Sequence, residues 1–300
     1  MGAASALFKV SDLLPKTRIF DKGFALAQFL RAHGRLPRMS GGGLNDALFH
    51  IKTSNEMLDP LRAFVSDKAQ VKHYVAAKVG DAHNVPTIAV LQSAAEAMAF
   101  AYPDDCVIKP THMSGEIIFR RGGSAVDLAK VRSWFEKDFY RVTREANYRD
   151  LRPRVIVEPY IFGRQQVEDY KLFCLHGQPF VVQVDFDRYT GHSQNLYTTG
   201  WEMLPFAMSS PIGPGKSRPA NLDALVAIAG KLSAEFNLIR IDLYTDEQTV
   251  LVGEITNCHQ AGRGQFVPAE GEGIMSRILF GEAGFSPSHL QPRTSFSSPG

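Results

Sequence analysis

The chain has 300 residues and a nearly neutral charge, with 33 Lys and Arg against 31 Asp and Glu, a formal net charge of +2. This balance gives no electrostatic case for nucleic-acid binding, which needs a concentrated basic face. The composition, 44% hydrophobic and 21% charged, is that of an ordinary globular protein. No apolar run approaches the roughly 18 residues of a transmembrane helix.

The amino terminus and the cysteines indicate a reducing compartment. The stretch MGAASALFKV lacks the basic and apolar regions of a secretory signal, and Ala6 stands where a myristoylation motif needs Ser or Thr. Cys106, Cys174 and Cys258 are far apart and lie in or beside apolar runs, which predicts buried free thiols. We therefore expect a cytoplasmic protein.

The first half of the chain predicts mainly helices. An amphipathic helix is expected over DKGFALAQFLRAHGRLP, a loop over MSGGGLND, and a second helix over SDKAQVKHYVAAKVG, capped by Ser66 or Asp67 and ended by Gly80. A strand follows in VPTIAVL and a helix in SAAEAMAFAY. A hairpin is expected from CVIKP and EIIFRRGG, joined by the loop THMSG. One long helix is predicted over DLAKVRSWFEKDFYRVTREANY.

The second half predicts mainly strands. These are RVIVEPYI, a hairpin in DYKLFCLHGQPFVVQVDFDR, and a further pair in LIRIDLYTDEQTVLVGEIT, with a helix over PANLDALVAIAGKLSAEFN. The tail SPSHLQPRTSFSSPG is rich in Ser and Pro, which predicts disorder. Helices followed by antiparallel hairpins with helices between them indicate an α+β chain of several lobes.

Two stretches suggest phosphate binding. Lys109 ends the strand CVIKP and precedes a small polar loop, an arrangement that suits a bound phosphate. The stretch GPGKS at 213–217 contains the Gly-Lys-Ser end of a P-loop, but Ser210 stands where that motif needs glycine. We interpret GPGKS as a surface loop.

Charged residues inside the apolar strands are the stronger signal. Asp242 and Glu254 occupy corresponding places in adjacent runs, where carboxylates need a partner or a metal such as Mg²⁺. Arg240 shares a strand face with Asp242, so a structural ion pair is an open alternative. Asp169 and Lys171 also share a face.

In chain order these features resemble the ATP-grasp superfamily. Residues from about 40 to 275 are most similar to its TupA-like branch, which is linked to teichuronopeptide and capsular polysaccharide synthesis. The resemblance lies in LND at 44–46, DKAQVKHYVAAKVG, VIKPTHMSG, LRPRVIVEPYI, DYKLFCLHGQP, QVDFDR with His192 following, RIDLY and GEIT.

The resemblance implies an ATP-grasp fold of class α+β, in which two lobes clasp ATP. The expected divisions are a helical region at 1–65, the N-terminal and lid lobes at 66–163, the C-terminal lobe with the metal site at 164–285, and a disordered tail at 286–300. Residues 1–40 match none of these stretches and are left open to packing or to contacts in a homodimer.

The resemblance also implies roles for individual residues, with ATP and Mg²⁺ as cofactors. ATP would be bound by Lys68, Lys109, His112, Ser114, Gly115, Glu158, Pro159, Tyr160, Ile161 and Asp169. Catalysis would use Arg240 and Lys171, the metal would be held by Asp242, Glu254 and Thr256, and the substrate would meet Arg188, His192 and Asn257.

The chain departs from the family pattern near the expected substrate site. Many ATP-grasp enzymes have Asn where this chain has Thr256, and Asn257 follows as an alternative metal contact. The run HSQN from His192 and the loop NCHQAG also differ from the usual forms. The identity of the substrate therefore cannot be carried over from the family.

The activity implied is that of an ATP- and Mg²⁺-dependent carboxylate–amine ligase in surface polysaccharide or related biosynthesis. It would join a small-molecule or sugar-linked carboxylate to an amine acceptor through an acyl phosphate. An ATP-grasp kinase or a ligase with a non-amine acceptor is an alternative. A glycosyltransferase or a non-catalytic nucleotide-binding protein is another, although the DxD candidate Asp185-x-Asp187 also matches the TupA-like pattern.

Overall fold

The computed structural model describes residues 15–163, 167–186 and 191–291. The helices are α1 (Arg18–His33), α2 (Leu44–Thr53), α3 (Pro60–Ser66), α4 (Val71–Val79), α5 (Ala94–Ala99), α6 (Leu128–Glu136), α7 (Phe139–Thr143), α8 (Leu222–Ser233) and α9 (Gly271–Phe280). The strands are β1 (Ala89–Leu91), β2 (Cys106–Pro110), β3 (Ile118–Arg120), β4 (Val155–Glu158), β5 (Asp169–Leu175), β6 (Gln178–Phe186), β7 (Ser193–Thr198), β8 (Ala207–Met208), β9 (Leu238–Thr245), β10 (Val250–Thr256) and β11 (Phe266–Val267). The chain is thus α+β, as expected.

Two antiparallel sheets organise the fold. A four-stranded sheet has the order β1-β4-β2-β3, and a five-stranded sheet has the order β10-β9-β5-β6-β7. A small pair, β11 with β8, lies apart from them. The predicted hairpins β2–β3, β5–β6 and β9–β10 all form. The β5–β6 turn uses His176 and Gly177 with φ of 48° and 76°, which suits the twist of a tight hairpin.

The two faces of the five-stranded sheet differ in what covers them. On one face Tyr170, Leu172 and Cys174 pack with α4 and α8 in a single apolar core. On the other face Phe173 and Leu175 pack with α2 and α9 in a second core, which covers only part of the sheet. The uncovered part of this second face is where the charged residues lie.

The single long helix predicted over residues 127–148 is wrong. Helix α6 ends at Glu136, and the carboxylate of Asp138 accepts a hydrogen bond from the amide of Arg141 to begin α7. Helix α7 ends at Thr143, and the next residue, Arg144, has a left-handed φ of 56°. A 3₁₀ turn, Ala146–Tyr148, follows. A side-chain cap inside the apolar period therefore divides the segment.

Three other predictions can be compared with the structure. Cys106, Cys174 and Cys258 are buried and free, as expected. Residues 286–291, which we assigned to a disordered tail, instead include a 3₁₀ turn at Pro287–Leu290 that buries Leu290 to 3% exposure. Among the described helices, none has the length and apolarity needed to cross a membrane.

Two glycine substitutions test the packing of the second core. A Cβ at Gly271, the first residue of α9, would lie 2.5 Å from Cβ of Phe206, whereas a Cβ at Gly23 in α1 would meet nothing within 4 Å. We expect Gly271→Ala to lower the free energy of unfolding by about 1–3 kcal/mol because the ring must move. Gly23→Ala should raise it by about 0.5–1 kcal/mol through helix propensity. Urea denaturation of both variants measures the difference, and effects of the same sign would contradict this account.

Candidate active site

Strand alternation gathers the charged residues on the uncovered face of the five-stranded sheet. Lys171 on β5 donates a hydrogen bond to Asp169 Oδ2 at 3.0 Å and pairs with Asp185 on β6. Arg240 on β9 donates from Nε and Nη2 to the two oxygens of Asp242, at 2.7 and 2.6 Å. Each of these five side chains is less than one-tenth exposed. Both predicted same-face pairs are therefore present, and both are ion pairs.

Glu254 reaches the same face because β10 contains a bulge. Glu254 lies opposite Asp242, but the register shifts between Val252 and Glu254, so Gly253 is an extra residue in the strand. Val252 therefore packs in the first core while Glu254, two positions later, lines the opposite face. A Cβ at Gly253 would lie 2.5 Å from Cε2 of Tyr244, so only glycine fits there without a shift.

Thr256 links the arginine to the glutamate. Arg240 Nη2 donates to Thr256 Oγ1 at 3.0 Å, and this hydroxyl donates to Glu254 Oε1 at 3.2 Å. In this structure Asp242 forms an ion pair with Arg240, which is the alternative left open by the sequence. The pair also lines a cavity, so the same residues remain accessible to a ligand.

His259 completes the surroundings of Arg240, and no motif in the sequence indicated a role for it. Its Nδ1 contacts Arg240 Nη1, while its Nε2 is buried and has no hydrogen-bond partner among the described residues. Burial, followed by the charges of Arg240 and Lys171, lowers the pKa of His259 well below its usual value. A neutral His259 accepts from the guanidinium and fixes its plane.

The carboxylates fit a magnesium ion that also binds a phosphate. Within the described ranges, no group of three or more His, Cys, Asp or Glu side chains forms a ready-made metal cluster. Mg²⁺, however, commonly takes one or two carboxylates and completes its shell with water and phosphate oxygens. Burial raises the pKa of Asp242 in spite of Arg240, and Glu254 adds to the rise. A divalent cation between these two carboxylates would relieve both effects.

Two adjoining cavities, each of about 430 Å³, lie over this face. We call the one lined by Phe119, Tyr160 and Ile161 the aromatic cavity, and the one lined by Asp242 and Glu254 the carboxylate cavity. Both are lined by a shared set of three residues, Asp169, Asp185 and Tyr244. An elongated molecule can therefore lie in both at once.

The aromatic cavity suits a flat, apolar ring. Phe119 and Tyr160 stack with ring centroids 6.1 Å apart and an angle of 17° between the planes. The guanidinium of Arg121 lies over both rings, and its Nε donates to the Tyr160 hydroxyl at 3.1 Å. Pro159 and Ile161, which the resemblance assigns to ATP binding, also line this cavity. Phe119 was not predicted, because it carries no charge and lies in a short edge strand.

Glu158 is held between two lysines at one side of the aromatic cavity. Lys109 Nζ lies 2.9 Å from Oε2 and Lys72 Nζ lies 2.7 Å from Oε1. Burial alone would raise the pKa of Glu158, but the two ammonium groups outweigh it and the pKa is lowered. Glu158 therefore stays ionised and fixes the position of Lys109. Lys72 was missed although it lies in the stretch DKAQVKHYVAAKVG, because the resemblance assigned a role there only to Lys68.

Asp67 ties the lobe that carries Lys109 to helix α4. Its carboxylate accepts from Thr111 Oγ1 and from Arg154 Nη2, both at 2.9 Å, and from the amides of Ala69 and Gln70. The neighbouring Lys68 donates from Nζ to Met113 O at 2.7 Å, and burial lowers its pKa. Lys68 thus contacts the loop that follows Lys109.

Other predicted residues fall into three groups. Ser114, Gly115 and His192 line the carboxylate cavity. Lys68 and His112 line neither cavity, and His112 is only 3% exposed. Their contact with ATP stays a prediction. Arg188 lies outside the described residues.

Asn257 is corrected, since it is not placed to meet a substrate. Its Oδ1 accepts from Arg62 Nη1 at 2.9 Å, and its Nδ2 donates to Arg62 O and Ser66 Oγ, both at 3.0 Å. The side chain is 4% exposed and joins the end of β10 to α3. Proximity in sequence to Thr256 was misleading because successive strand residues point to opposite faces.

Lys216, in the loop GPGKS, lies closer to the site than expected. Its Nζ pairs with Glu168 at 2.7 Å, and both residues line the aromatic cavity. The amide of Lys216 donates to Tyr197 Oη at 3.0 Å. The loop is therefore no P-loop, yet it forms part of the cavity wall and is not simply surface.

Comparison with known protein families gives a match over most of the chain. The family described as TupA-like ATPgrasp matches residues 50–279. No curated protein matches the sequence significantly.

Solved structures give distant matches. The D-alanine–D-alanine ligase of Bacillus anthracis complexed with ATP is 14% identical, with a TM-score of 0.36 over 76% of this chain and 60% of that one. The D-alanine–D-alanine ligase of Helicobacter pylori is 16% identical, with a TM-score of 0.35 over 66% of this chain and 56% of that one. The ATP-grasp ligase PsnB with its precursor peptide and AMPPNP is 12% identical, with a TM-score of 0.36 over 66% and 51%. The chain thus spans less than two thirds of each of these proteins.

The structural role of Asn257 is testable by stability. Asn257→Leu removes an acceptor from Arg62, whose side chain is buried, and should lower the free energy of unfolding by about 1–3 kcal/mol. Asn55 is exposed, and Asn55→Leu should change the free energy of unfolding by less than about 0.5 kcal/mol. Chemical denaturation measures both. An Asn257→Leu variant of unchanged stability would contradict this structural role.

Proposed function

The chain belongs to the TupA-like ATP-grasp family, and from this premise we propose that it is an ATP- and Mg²⁺-dependent ligase that joins a carboxylate to an amine. The observation that carries the proposal is the set formed by Asp242, Glu254 and Arg240 in a cavity continuous with an aromatic one. A place in surface polysaccharide or related biosynthesis is part of the proposal and rests on the family's link alone.

The two cavities support one orientation of ATP. Adenine lies in the aromatic cavity, where Phe119 and Tyr160 offer ring faces and the backbone at Glu158–Ile161 offers polar groups to the base edge. Asp169, shared by both cavities, faces the ribose. The triphosphate then extends into the carboxylate cavity, under the loop with Ser114 and Gly115.

The charged residues have different roles around the phosphates. Bound Mg²⁺ would neutralise phosphate oxygens and orient the γ-phosphoryl group. Asp242 and Glu254 would hold the metal, and the hydroxyl of Thr256 donates a hydrogen bond to Glu254. Arg240 stabilises the charge that develops on the transferred phosphoryl group, and His259 fixes its plane. Lys109 and Lys171 supply positive charge on either side.

The reaction proceeds in two steps. The carboxylate of the acid attacks the γ-phosphorus of ATP, which releases ADP and leaves an acyl phosphate. The amine then forms a bond to the acyl carbon while the bond to phosphate breaks. Residues of this chain align both groups and exclude water, which is where most of the rate enhancement arises when no covalent enzyme intermediate forms.

ADP release tests the proposal. The chain is incubated with ATP and Mg²⁺ and a panel of uronic acids and amino acids, singly and in acid–amine pairs. ADP formed only with a pair, with an amide of the expected mass, supports the ligase. A single substrate that leaves stably phosphorylated would instead identify a kinase. ATP binding without ADP release for any pair would contradict catalysis of this kind.

Glu254→Gln tests the metal site. The substitution keeps size and hydrogen bonding but removes the charge that Mg²⁺ needs, so ADP release should fall at least about 100-fold at ordinary Mg²⁺ concentrations. Circular dichroism should show an unchanged fold. Glu235→Gln is the matched control, because Glu235 pairs with Lys78 on the surface. Full activity of Glu254→Gln at low Mg²⁺ would remove Glu254 from the site.

Lys109→Ala tests the phosphate contact. Loss of a charge-assisted hydrogen bond should weaken ATP binding by about 10- to 150-fold, measured by calorimetry. Lys78→Ala, on the surface, should leave the affinity unchanged. Equal ATP affinities in the two variants would exclude the assigned role of Lys109.

A further inference from the structure

A buried carboxylate lies on a wall of the carboxylate cavity that the proposed ATP site does not use. Glu145 precedes the 3₁₀ turn Ala146–Tyr148, is 7% exposed and lines this cavity. Its nearest cation, Lys52 on α2, has Nζ 3.8 Å from Oε1, which is longer than a hydrogen bond. Lys52 is thus a distant partner for a carboxylate that is buried, and buried carboxylates normally have close ones.

Lys52 does not compensate Glu145 fully. Lys52 Nζ donates instead to Gln28 Oε1 at 3.1 Å, in a pocket where Lys52 is 2% exposed. Burial raises the pKa of Glu145 in spite of Lys52 and Arg263. A cationic donor that enters the cavity can therefore make a shorter charge-assisted hydrogen bond to Glu145 than Lys52 makes.

Tyr148 connects Glu145 to the metal-binding end of the cavity. Burial raises the pKa of Tyr148, and the charges of Glu145 and Glu254 both add to the rise. Its side chain therefore lies within electrostatic reach of both carboxylates, and it lines the same cavity. A group held at Glu145 therefore shares one cavity with Asp242 and Glu254.

A cation on the same wall indicates what else the occupant carries. Arg263 lines the cavity, is exposed, and is within electrostatic reach of Glu145. Among the described residues, the acceptor for its side chain is Gln260 O, at 3.4 Å from Nε. The guanidinium can therefore bind an anion. A carboxylate and a guanidinium on one cavity wall are complementary to a zwitterion.

We infer that Glu145 and Arg263 form the binding site for the amine acceptor, and that this acceptor is an amino acid. Glu145 holds its ammonium group and Arg263 holds its carboxylate. The inference rests on the proposed ligase activity, and it adds both the class of acceptor and two residues outside the ATP and metal sites.

Glu145 also serves the chemistry of the second step. The bound ammonium group transfers one proton to the Glu145 carboxylate, which frees the nitrogen lone pair. The nitrogen then forms the C–N bond, the C–O bond to phosphate breaks, and the second N–H proton leaves with phosphate as HPO₄²⁻. The step needs no further reactant.

Binding of acceptor probes tests the inference without knowledge of the acid. The full chain with Mg²⁺ and AMPPNP is titrated calorimetrically with glycine, L-alanine, D-alanine, L-glutamate, L-lysine and ethylamine. We expect at least one amino acid to bind, and Glu145→Gln to raise its Kd about tenfold or more. Arg263→Gln should weaken amino-acid binding to a similar degree and leave ethylamine binding unchanged. Glu235→Gln, on the surface, should bind as the wild type does.

A second variant is needed because Glu145→Gln leaves Lys52 without a counter-ion and could destabilise the fold. Glu145→Asp keeps the charge but withdraws the carboxylate from the cavity. It should also weaken amino-acid binding about tenfold. Binding of AMPPNP with no amino acid bound, or unchanged affinity in both Glu145 variants, would overturn the acceptor site and leave the ligase standing. Failure of AMPPNP to bind would remove the ligase, and the acceptor site with it.

Discussion

Buried charge on one face of the five-stranded sheet is the constraint on which the rest of the site depends. Lys171 is 3% exposed and Arg240 is 8% exposed, and an unpaired buried ion costs on the order of several kcal/mol. Asp169, Asp185 and Asp242 compensate them through short contacts. The face can therefore stay folded without a ligand. Any phosphate that enters must compete with these carboxylates, so binding is an exchange of partners and not the filling of an empty charged hole.

Much of this face could be predicted from the sequence because strand geometry is local. The period of two places Asp169 with Lys171 and Arg240 with Asp242, and the structure confirms both pairs. The hairpins were equally predictable, since each has a short polar or glycine-containing turn between apolar runs. The end of helix α1 is also a local signal, because Gly34 follows His33 and adopts the left-handed φ of 62° that glycine favours.

The other parts of the site could not be predicted, because they depend on tertiary contacts that no local sequence pattern encodes. Lys72 matters because Glu158, far along the chain, folds against α4. The interaction of Glu145 with Lys52 requires the segment after α7 to fold back toward α2, and the predicted long helix would have prevented this. Asn257 shows the opposite error. Its position next to Thr256 in the sequence predicted a place in the site, but its side chain contacts Arg62.

The extra residue in β10 bears on how related chains should be compared and redesigned. Deleting Gly253 would make β10 a regular strand of unbroken alternation and would look like an improvement by any criterion of strand regularity. It would leave Val252 opposite Leu243 and Glu254 opposite Asp242, because adjacent residues of a regular strand point to opposite faces. If Gly253 stayed and paired regularly with Asp242, Glu254 would instead lie on the same face as Val252, in the apolar core. An alignment that closes this one-residue gap would pair the wrong residues from that point to the end of the strand. The irregularity is thus part of the site, as much as the side chains it orients.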